Sequence, residues 1–376
     1  MEKNWFLITG KSPQLSFSEL KSQKDLFNYG SLSRVSEHCL EIKCDAAPDE
    51  YLNKLGGFTK AGKVIAHVKG RYEEAICDYL LKKNQSRSDF GLSFYDSDLG
   101  TRDAIRVSLD IKKILKKSGK PVRAFTPNKG SALPSVIVDK QLLQKGGTEI
   151  VVVKTDIGWT IGETTWVHQF EDWSSREYGK DAVDKKRGMI PHKLARIMLN
   201  LTGDDLTAFT TIYDPFCGTG VILLEAQELG CKVLGSDLDP VAINQSQINL
   251  NFSPKDDRLW VADSRNTIIP KLEGKMLIVT EPYLGPLWID NPDFRDVKDA
   301  VIELSRLYSD SLKNWRKQIP RGTIIVMVFP ILFGHSTYDR VVDTLSILGY
   351  STSAGPLLYE RSDQKVRRNI VKLIAV

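Results

Sequence analysis

The chain changes its hydrophobic rhythm near its midpoint. In the second half, short apolar runs predict strands near 211–214, 232–237, 258–263, 276–281 and 323–329, with helices over Val221–Leu229, Pro240–Asn251 and Lys298–Gln318 between them. Runs of this length bounded by turn residues read as strands buried on both faces, and their alternation with helices specifies a mostly parallel, doubly wound sheet. Ahead of the first strand, Leu194, Ile197, Met198 and Leu201 repeat at i, i+3, i+4, i+7. That stripe predicts a helix packed on the sheet, with Pro191 at its first turn. Arg367–Val376 closes the chain as an edge hairpin strand.

The first half is different. Asn4-Trp-Phe-Leu-Ile-Thr9 predicts a strand, Ser16 caps the helix that follows, and the alternation in Cys39-Leu-Glu-Ile-Lys-Cys44 predicts another strand, so residues 1–57 read as an α+β module. Residues 58–165 run strand, helix, strand, including the short strand Leu92-Ser-Phe-Tyr95 and a sharply two-faced helix from Val107 to Lys120. Val107, Ile111, Ile114 and Leu115 form the apolar stripe of that helix, and Lys112, Lys113, Lys116, Lys117 and Lys120 take the other side. The basic text continues through Arg123 and Lys129. Residues 166–186 turn polar and irregular, with Trp166, His168, Trp173, Arg176, Tyr178, Lys185 and Lys186 and no apolar period, and are read as a linker to a domain spanning 187–376.

With 376 residues the chain holds two or three domains, and 41% hydrophobic with 26% charged residues is an ordinary globular composition. A net charge of +5 permits a polyanionic partner without demanding one, so the local lysine face carries more information than the total. The five cysteines, 39, 44, 77, 217 and 231, form no C-x-x-C pair and no zinc spacing with histidine, which implies no metal and a reducing compartment. Cys39 and Cys44 are read as buried thiols. The start of the chain lacks the pattern of a signal peptide, and the run Thr323–Phe333, broken by Pro330, is too short to span a membrane. The expected location is cytoplasmic.

The chemistry is concentrated at the predicted strand ends. Asp214-Pro-Phe-Cys-Gly-Thr-Gly220 is a strand, a glycine turn and a helix start, in which Gly218 and Gly220 let the chain bend and a ligand approach main-chain N–H groups. The next strand ends in Asp237, the placement that holds ribose hydroxyls. A dinucleotide fingerprint needs a further glycine where Leu223 stands, which argues against NAD. The third strand ends in Asp263, suited to an adenine amino group, and the fourth in Glu281-Pro282-Tyr283-Leu284-Gly285. Asp214, Phe216, Gly218, Gly220, Asp237, Leu238, Asp263 and Ser264 are the candidate cofactor residues, and Glu281, Pro282 and Tyr283 the candidate catalytic ones. Cys217, inside the turn, is there for its size and not as a nucleophile.

These motifs resemble class I S-adenosylmethionine-dependent methyltransferases, and most closely the tRNA guanine-N2 methyltransferases that carry a THUMP domain. Phe6 to Leu20 resembles that family's opening strand and helix. Arg176-Glu-Tyr-Gly-Lys180 and Arg187-Gly-Met-Ile-Pro-His-Lys-Leu-Ala195 resemble its entry into the catalytic domain. The family's Asp-Pro-Pro-Tyr-Gly aligns with Glu281–Gly285, so the acid is one methylene longer, Tyr283 stands at the second proline and Leu284 at the aromatic position. The resemblance implies a Rossmann-like methyltransferase domain behind ferredoxin-like and THUMP modules, S-adenosylmethionine as cofactor, tRNA as partner and guanine N2 as target, at position 10. In some members it also implies a small activating protein. Lys112, Lys113, Lys116, Lys117, Arg123 and Lys129 then become candidate phosphate contacts. Glu281 and the Pro282 carbonyl would accept the amine hydrogens while Tyr283 stacks on the base, with Trp288 standing in for the missing aromatic. Two readings compete: a DNA adenine-N6 or cytosine-N4 methyltransferase, which shares the fourth-strand motif, and a tRNA-binding protein without turnover.

Overall fold

A computed structural model describes residues 3–83, 88–119, 121–178, 189–253, 256–288, 292–361 and 366–376. Lys120 and the 179–188 part of the two entry motifs, with Lys185 and Lys186, lie outside the described residues. The chain divides into two compact units, one of residues 1–17 and 24–171 and one of residues 18–23 and 172–376.

The first unit is built on an eight-stranded sheet in the order β2-β3-β1-β4-β8-β7-β5-β6. Its strands are β1 (Lys3–Thr9), β2 (Ser31–Arg34), β3 (Cys39–Cys44), β4 (Phe58–Val68), β5 (Ser88–Tyr95), β6 (Val122–Phe125), β7 (Thr148–Thr155) and β8 (Gly158–Val167). The boundary expected at residue 57 runs through this sheet, because β1 pairs along its length with β4. The expected linker begins inside β8, whose Trp166 donates to Asn53 Oδ1 at 2.8 Å, and continues as the helix Phe170–Tyr178. Ser16 does not cap a helix; the helix starts at Pro13, and Ser16 donates to the Gly57 carbonyl at 2.6 Å.

The first six residues of β7 are buried, and its one acid, Glu149, is fully buried. Glu149 is satisfied by Lys60 Nζ, by Ser93 and by Thr164 Oγ1 at 2.6 Å. Removing any one of these donors would leave a buried charge short of a partner. The two-faced helix runs Thr101–Lys116, starting six residues before its expected position. Ala104, Val107, Ser108, Ile111 and Leu115 are buried on its inner face. Ile114 departs from the expected stripe: it sits one step of about 100° from Leu115 on an ideal helix, and is 45% exposed. Lys113, Lys116 and Lys117 are exposed and Lys112 is half-buried; Arg123 and Lys129 are exposed on β6 and in the loop after it.

The second unit carries the sheet β11-β10-β9-β12-β13-β16-β15, with β14 paired to β13. Its strands are β9 (Thr210–Asp214), β10 (Lys232–Asp237), β11 (Leu259–Val261), β12 (Lys275–Thr280), β13 (Ile324–Leu332), β14 (His335–Ser336), β15 (Tyr350–Tyr359) and β16 (Val366–Ala375). Strands β9 to β13 are parallel and give the doubly wound core. β16 is not the edge. It lies antiparallel between β13 and β15. The edge strand β15 escapes sequence reading because Ser351-Thr352-Ser353 and Gly355-Pro356 break any apolar alternation; it is also bulged, a feature that protects an exposed edge. The helix Phe294–Arg316 covers one face, burying Val301, Leu304, Tyr308, Leu312 and Trp315 against Met327 and Phe329.

Candidate active site

The strand ends of this parallel sheet open on a cleft of about 1390 Å³. This exceeds the roughly 300–1,000 Å³ of an ordinary small-molecule pocket, and is room for a nucleoside cofactor together with a base. Asp214, Phe216, Gly218, Asp237, Leu238, Asp263, Ser264, Glu281, Pro282 and Tyr283 all line it. Gly220 does not.

The glycine turn is tied down from three sides. Cys217 N–H donates to the Ser236 carbonyl at 3.0 Å, Gly220 N–H to the Cys217 carbonyl at 2.8 Å, and Gly218 N–H to Asp237 Oδ2 at 2.9 Å. Gly218 and Gly220 have φ of +51° and +84°, the left-handed region that side chains disfavour. A Cβ at Gly218 would meet nothing within 4 Å, whereas at Gly220 it would lie 2.5 Å from Ser246 Oγ. Gly218 therefore leaves space at the cleft, and Gly220 allows the helix Pro240–Asn249 to pack close behind the turn. Burial pushes the Cys217 thiol well up, which disfavours the reactive thiolate.

Asp214 is buried at the end of β9, where Oδ1 accepts from Phe216 N–H at 3.1 Å and Thr280 O–H at 2.6 Å. Burial pushes its carboxyl up to about 7, with Asp237 and Glu281 adding to the effect against those two hydrogen bonds. Asp237 accepts Asp239 N–H at 3.0 Å as well as the Gly218 N–H. The helix that follows is capped by Asp239, whose side chain accepts from Val241 N–H at 2.9 Å. Leu238 is 67% exposed, an apolar surface beside the turn. Asp263 lines the cleft and also has a local partner. Its carboxylate is held by Arg265, two residues on, through Nη2 at 2.6 Å, which keeps it below the usual carboxylate range. Ser264, also in the cleft lining, accepts Trp315 Nε1–H at 3.1 Å.

At the end of β12, Glu281 meets a partner that sequence reading missed. Arg368 of β16 places Nε 2.7 Å from Glu281 Oε1, with the arginine side chain 4% and the glutamate 11% exposed. Burial raises the Glu281 carboxyl while Arg368 pulls it back. Tyr283 projects 56% exposed, and its carbonyl is fixed by Tyr308 O–H at 2.6 Å. Trp288 packs edge-on against Phe333 with ring centres 5.5 Å apart. His192 is buried, with Nδ1 2.7 Å from Glu225 Oε1, and Arg196 binds the other oxygen. Trp173 is also buried, under the guanidinium of Arg176 at 4.4 Å. The basic candidates Lys112, Lys113, Lys116, Lys117, Arg123 and Lys129 all belong to the other unit; Arg123 lies over Phe125 at 4.5 Å.

Residues 180–330 match the family model described as RMKL-like, methyltransferase domain. The tRNA (guanine(10)-N2)-dimethyltransferase of Methanothermobacter thermautotrophicus is 29% identical over 209 residues, 54% of each chain. The tRNA (guanine(10)-N2)-dimethyltransferase of Methanocaldococcus jannaschii is 25% identical over 309 residues, covering 74% of this chain and 82% of that protein. The match thus spans about half the length of the first relative. The crystal structure of TrmN from Thermus thermophilus has the same fold, with a TM-score of 0.60 at 16% identity over 99% of this chain and 100% of that one. Among the described residues, no helix is long and apolar enough to cross a membrane.

Proposed function

We propose that this chain, whose residues 180–330 carry a methyltransferase domain, transfers methyl groups from S-adenosylmethionine to the N2 amine of a tRNA guanine. One observation carries the reading: a glycine turn, a ribose-type acid and an acid–proline–aromatic segment converge on one cleft, in a chain related to two proteins named for N2 dimethylation of guanine 10. By that kinship the target is guanine 10 and the product carries two methyl groups. A tRNA substrate and five buried cysteines, none in a disulfide, fit a cytoplasmic site of action.

The cleft fits the cofactor. Open space at Gly218, the Asp237 carboxylate and the apolar Leu238 suit a nucleoside, and the Asp237 carboxylate suits a cationic ligand. When bound, S-adenosylmethionine supplies the methyl group as an electrophile on sulfur. The chain does the rest. Aligning an amine for in-line attack is worth up to about 7–11 kcal/mol. A guanine N2 lone pair is delocalised into the ring, and acceptors on its hydrogens draw the nitrogen toward tetrahedral geometry. Glu281 Oε2 and the Pro282 carbonyl are those acceptors, and the exposed Tyr283 ring stacks on a base turned out of its helix. Asp263, which also holds Arg265 at the cleft wall, keeps acceptor capacity for the adenine amino group.

Lys112, Lys113, Lys116, Lys117, Arg123 and Lys129, on what we read as the THUMP-like part of the first unit, contact phosphates and locate the substrate by shape and charge. The test is radiolabelled methyl transfer to tRNA transcripts and to duplex DNA. Label is expected in tRNA alone, recovered as N2-methylated guanosine and lost when guanine 10 is changed to adenine; label in DNA adenine or cytosine would overturn the reading. For the lysine face, reversing Lys113, Lys116 and Lys117 to glutamate is expected to flatten the salt dependence of tRNA affinity. The slope of log affinity against log salt should fall by roughly one for each lysine that meets a phosphate. An unchanged slope would remove this helix from the interface.

A further inference from the structure

Arg368 is an unusual residue to find behind a methyl-transfer site. It lies in the middle of a mixed sheet, opposite Pro330 of β13 and Tyr359 of β15, with its guanidinium 6.0 Å from the Tyr359 ring centre. Burying an arginine costs several kcal/mol, and a buried ion pair is often no more stable than an apolar pair of the same volume. Stability alone therefore does not account for it. The arginine reaches the cleft wall and meets the one carboxylate placed to accept the target amine.

We propose that Arg368 is a positioning residue for methyl transfer: it holds Glu281 Oε1, fixes the plane of the carboxylate and leaves Oε2 as the acceptor offered to the amine. The inference rests on the activity proposed above. It gives the longer acid a use: β13 lies between β12 and β16, and the extra methylene of glutamate shortens the gap that the Arg368 side chain has to bridge. It also favours the ionised form of the acid against the effect of burial. The charged and titratable groups around Glu281 are Asp214 from β9, Tyr308 from the helix Phe294–Arg316, and Arg368. Asp214, once ionised, opposes the Glu281 charge, and Tyr308, held neutral by burial, cannot compensate it. Arg368 supplies the compensating charge. A neutral Glu281 would present an O–H to the amine, or an acceptor too weak to polarise it.

The experiment compares wild type, Arg368→Gln and Arg368→Lys. In Arg368→Gln, kcat at pH 7 should fall roughly 100-fold, the scale of one acid–base group, with KM for tRNA within about twofold. Its rate should climb with pH to a midpoint above that of wild type. Arg368→Lys retains the charge but not the planar fork, so it should keep the wild-type midpoint and lose about tenfold in kcat. A 13C label in the glutamate carboxyls follows Glu281 without any substrate, and its titration should move to higher pH in Arg368→Gln only. An unchanged titration and pH–rate profile in folded Arg368→Gln overturns the inference, as does a lysine variant no better than glutamine. If wild type methylates no tRNA, the proposed activity fails, and the carboxyl titration still decides whether Arg368 governs Glu281.

Discussion

Glu281→Gln is expected to slow methyl transfer by about 100- to 1,000-fold while cofactor affinity stays within about twofold, because one preorganised group aimed at a developing charge is worth that much. Glutamine has the same shape. Its amide oxygen can still accept from Arg368, since that bond is the one with a fixed donor, and the NH2 is then turned toward the cleft. A donor would face the donor hydrogens of the target amine where an acceptor stood. Single-turnover rates with labelled cofactor, together with calorimetric affinity for S-adenosylhomocysteine, separate this from a binding defect. Glu281→Ala is a poorer probe. It takes the carboxylate away from a buried arginine, and breaking a buried ion pair from one side costs about 3–5 kcal/mol of stability. A Glu281→Gln enzyme with wild-type turnover would remove Glu281 from the chemistry.

The parts of this site that sequence reading reached are those in which neighbours in the chain are neighbours in space. Asp214 to Gly220 makes its own turn, and Asp237, Asp263 and Glu281 follow from the rule that a parallel sheet delivers its strand ends to one edge. The parts it did not reach are set by pairings between distant residues. Arg368 is 87 positions from Glu281, and nothing in Arg367-Arg368-Asn369 separates the arginine that turns inward from the one that does not. Tyr308 reaches the Tyr283 carbonyl only because a long helix crosses the sheet there. The Asp263 partner was legible and went unread: Arg265 stands two residues on in the text, and the two pair locally. The same holds for the fold. The expected division at residue 57 fell between two strands that turned out to pair, since hydrophobic rhythm reports faces and not neighbours.

The two glycines of the turn should fail in different ways when given a methyl group. At Gly218 an alanine must adopt φ near +51°, which costs about 1–2 kcal/mol, but its Cβ has nothing within 4 Å to strike. Gly218→Ala is therefore expected to fold, melting a few degrees lower, at about 2–4 °C per kcal/mol for a unit of this size. The space its methyl enters belongs to the cleft, and crowding a fitted ligand costs roughly 1–3 kcal/mol, so affinity for S-adenosylhomocysteine should fall about 10- to 100-fold. At Gly220 the φ of +84° carries a similar cost, and the methyl group collides with Ser246 Oγ at 2.5 Å. That adds overpacking to strain, about 2–4 kcal/mol in all, while leaving the cleft wall as it was. Gly220→Ala should thus melt well below Gly218→Ala and yet, where folded, bind S-adenosylhomocysteine nearly as wild type does. Ser246→Ala placed on top of Gly220→Ala should restore part of the lost melting temperature, because it removes the atom struck first. Equal affinity losses in the two glycine variants would mean that the ligand does not lie against Gly218, and that the cleft receives its cofactor elsewhere.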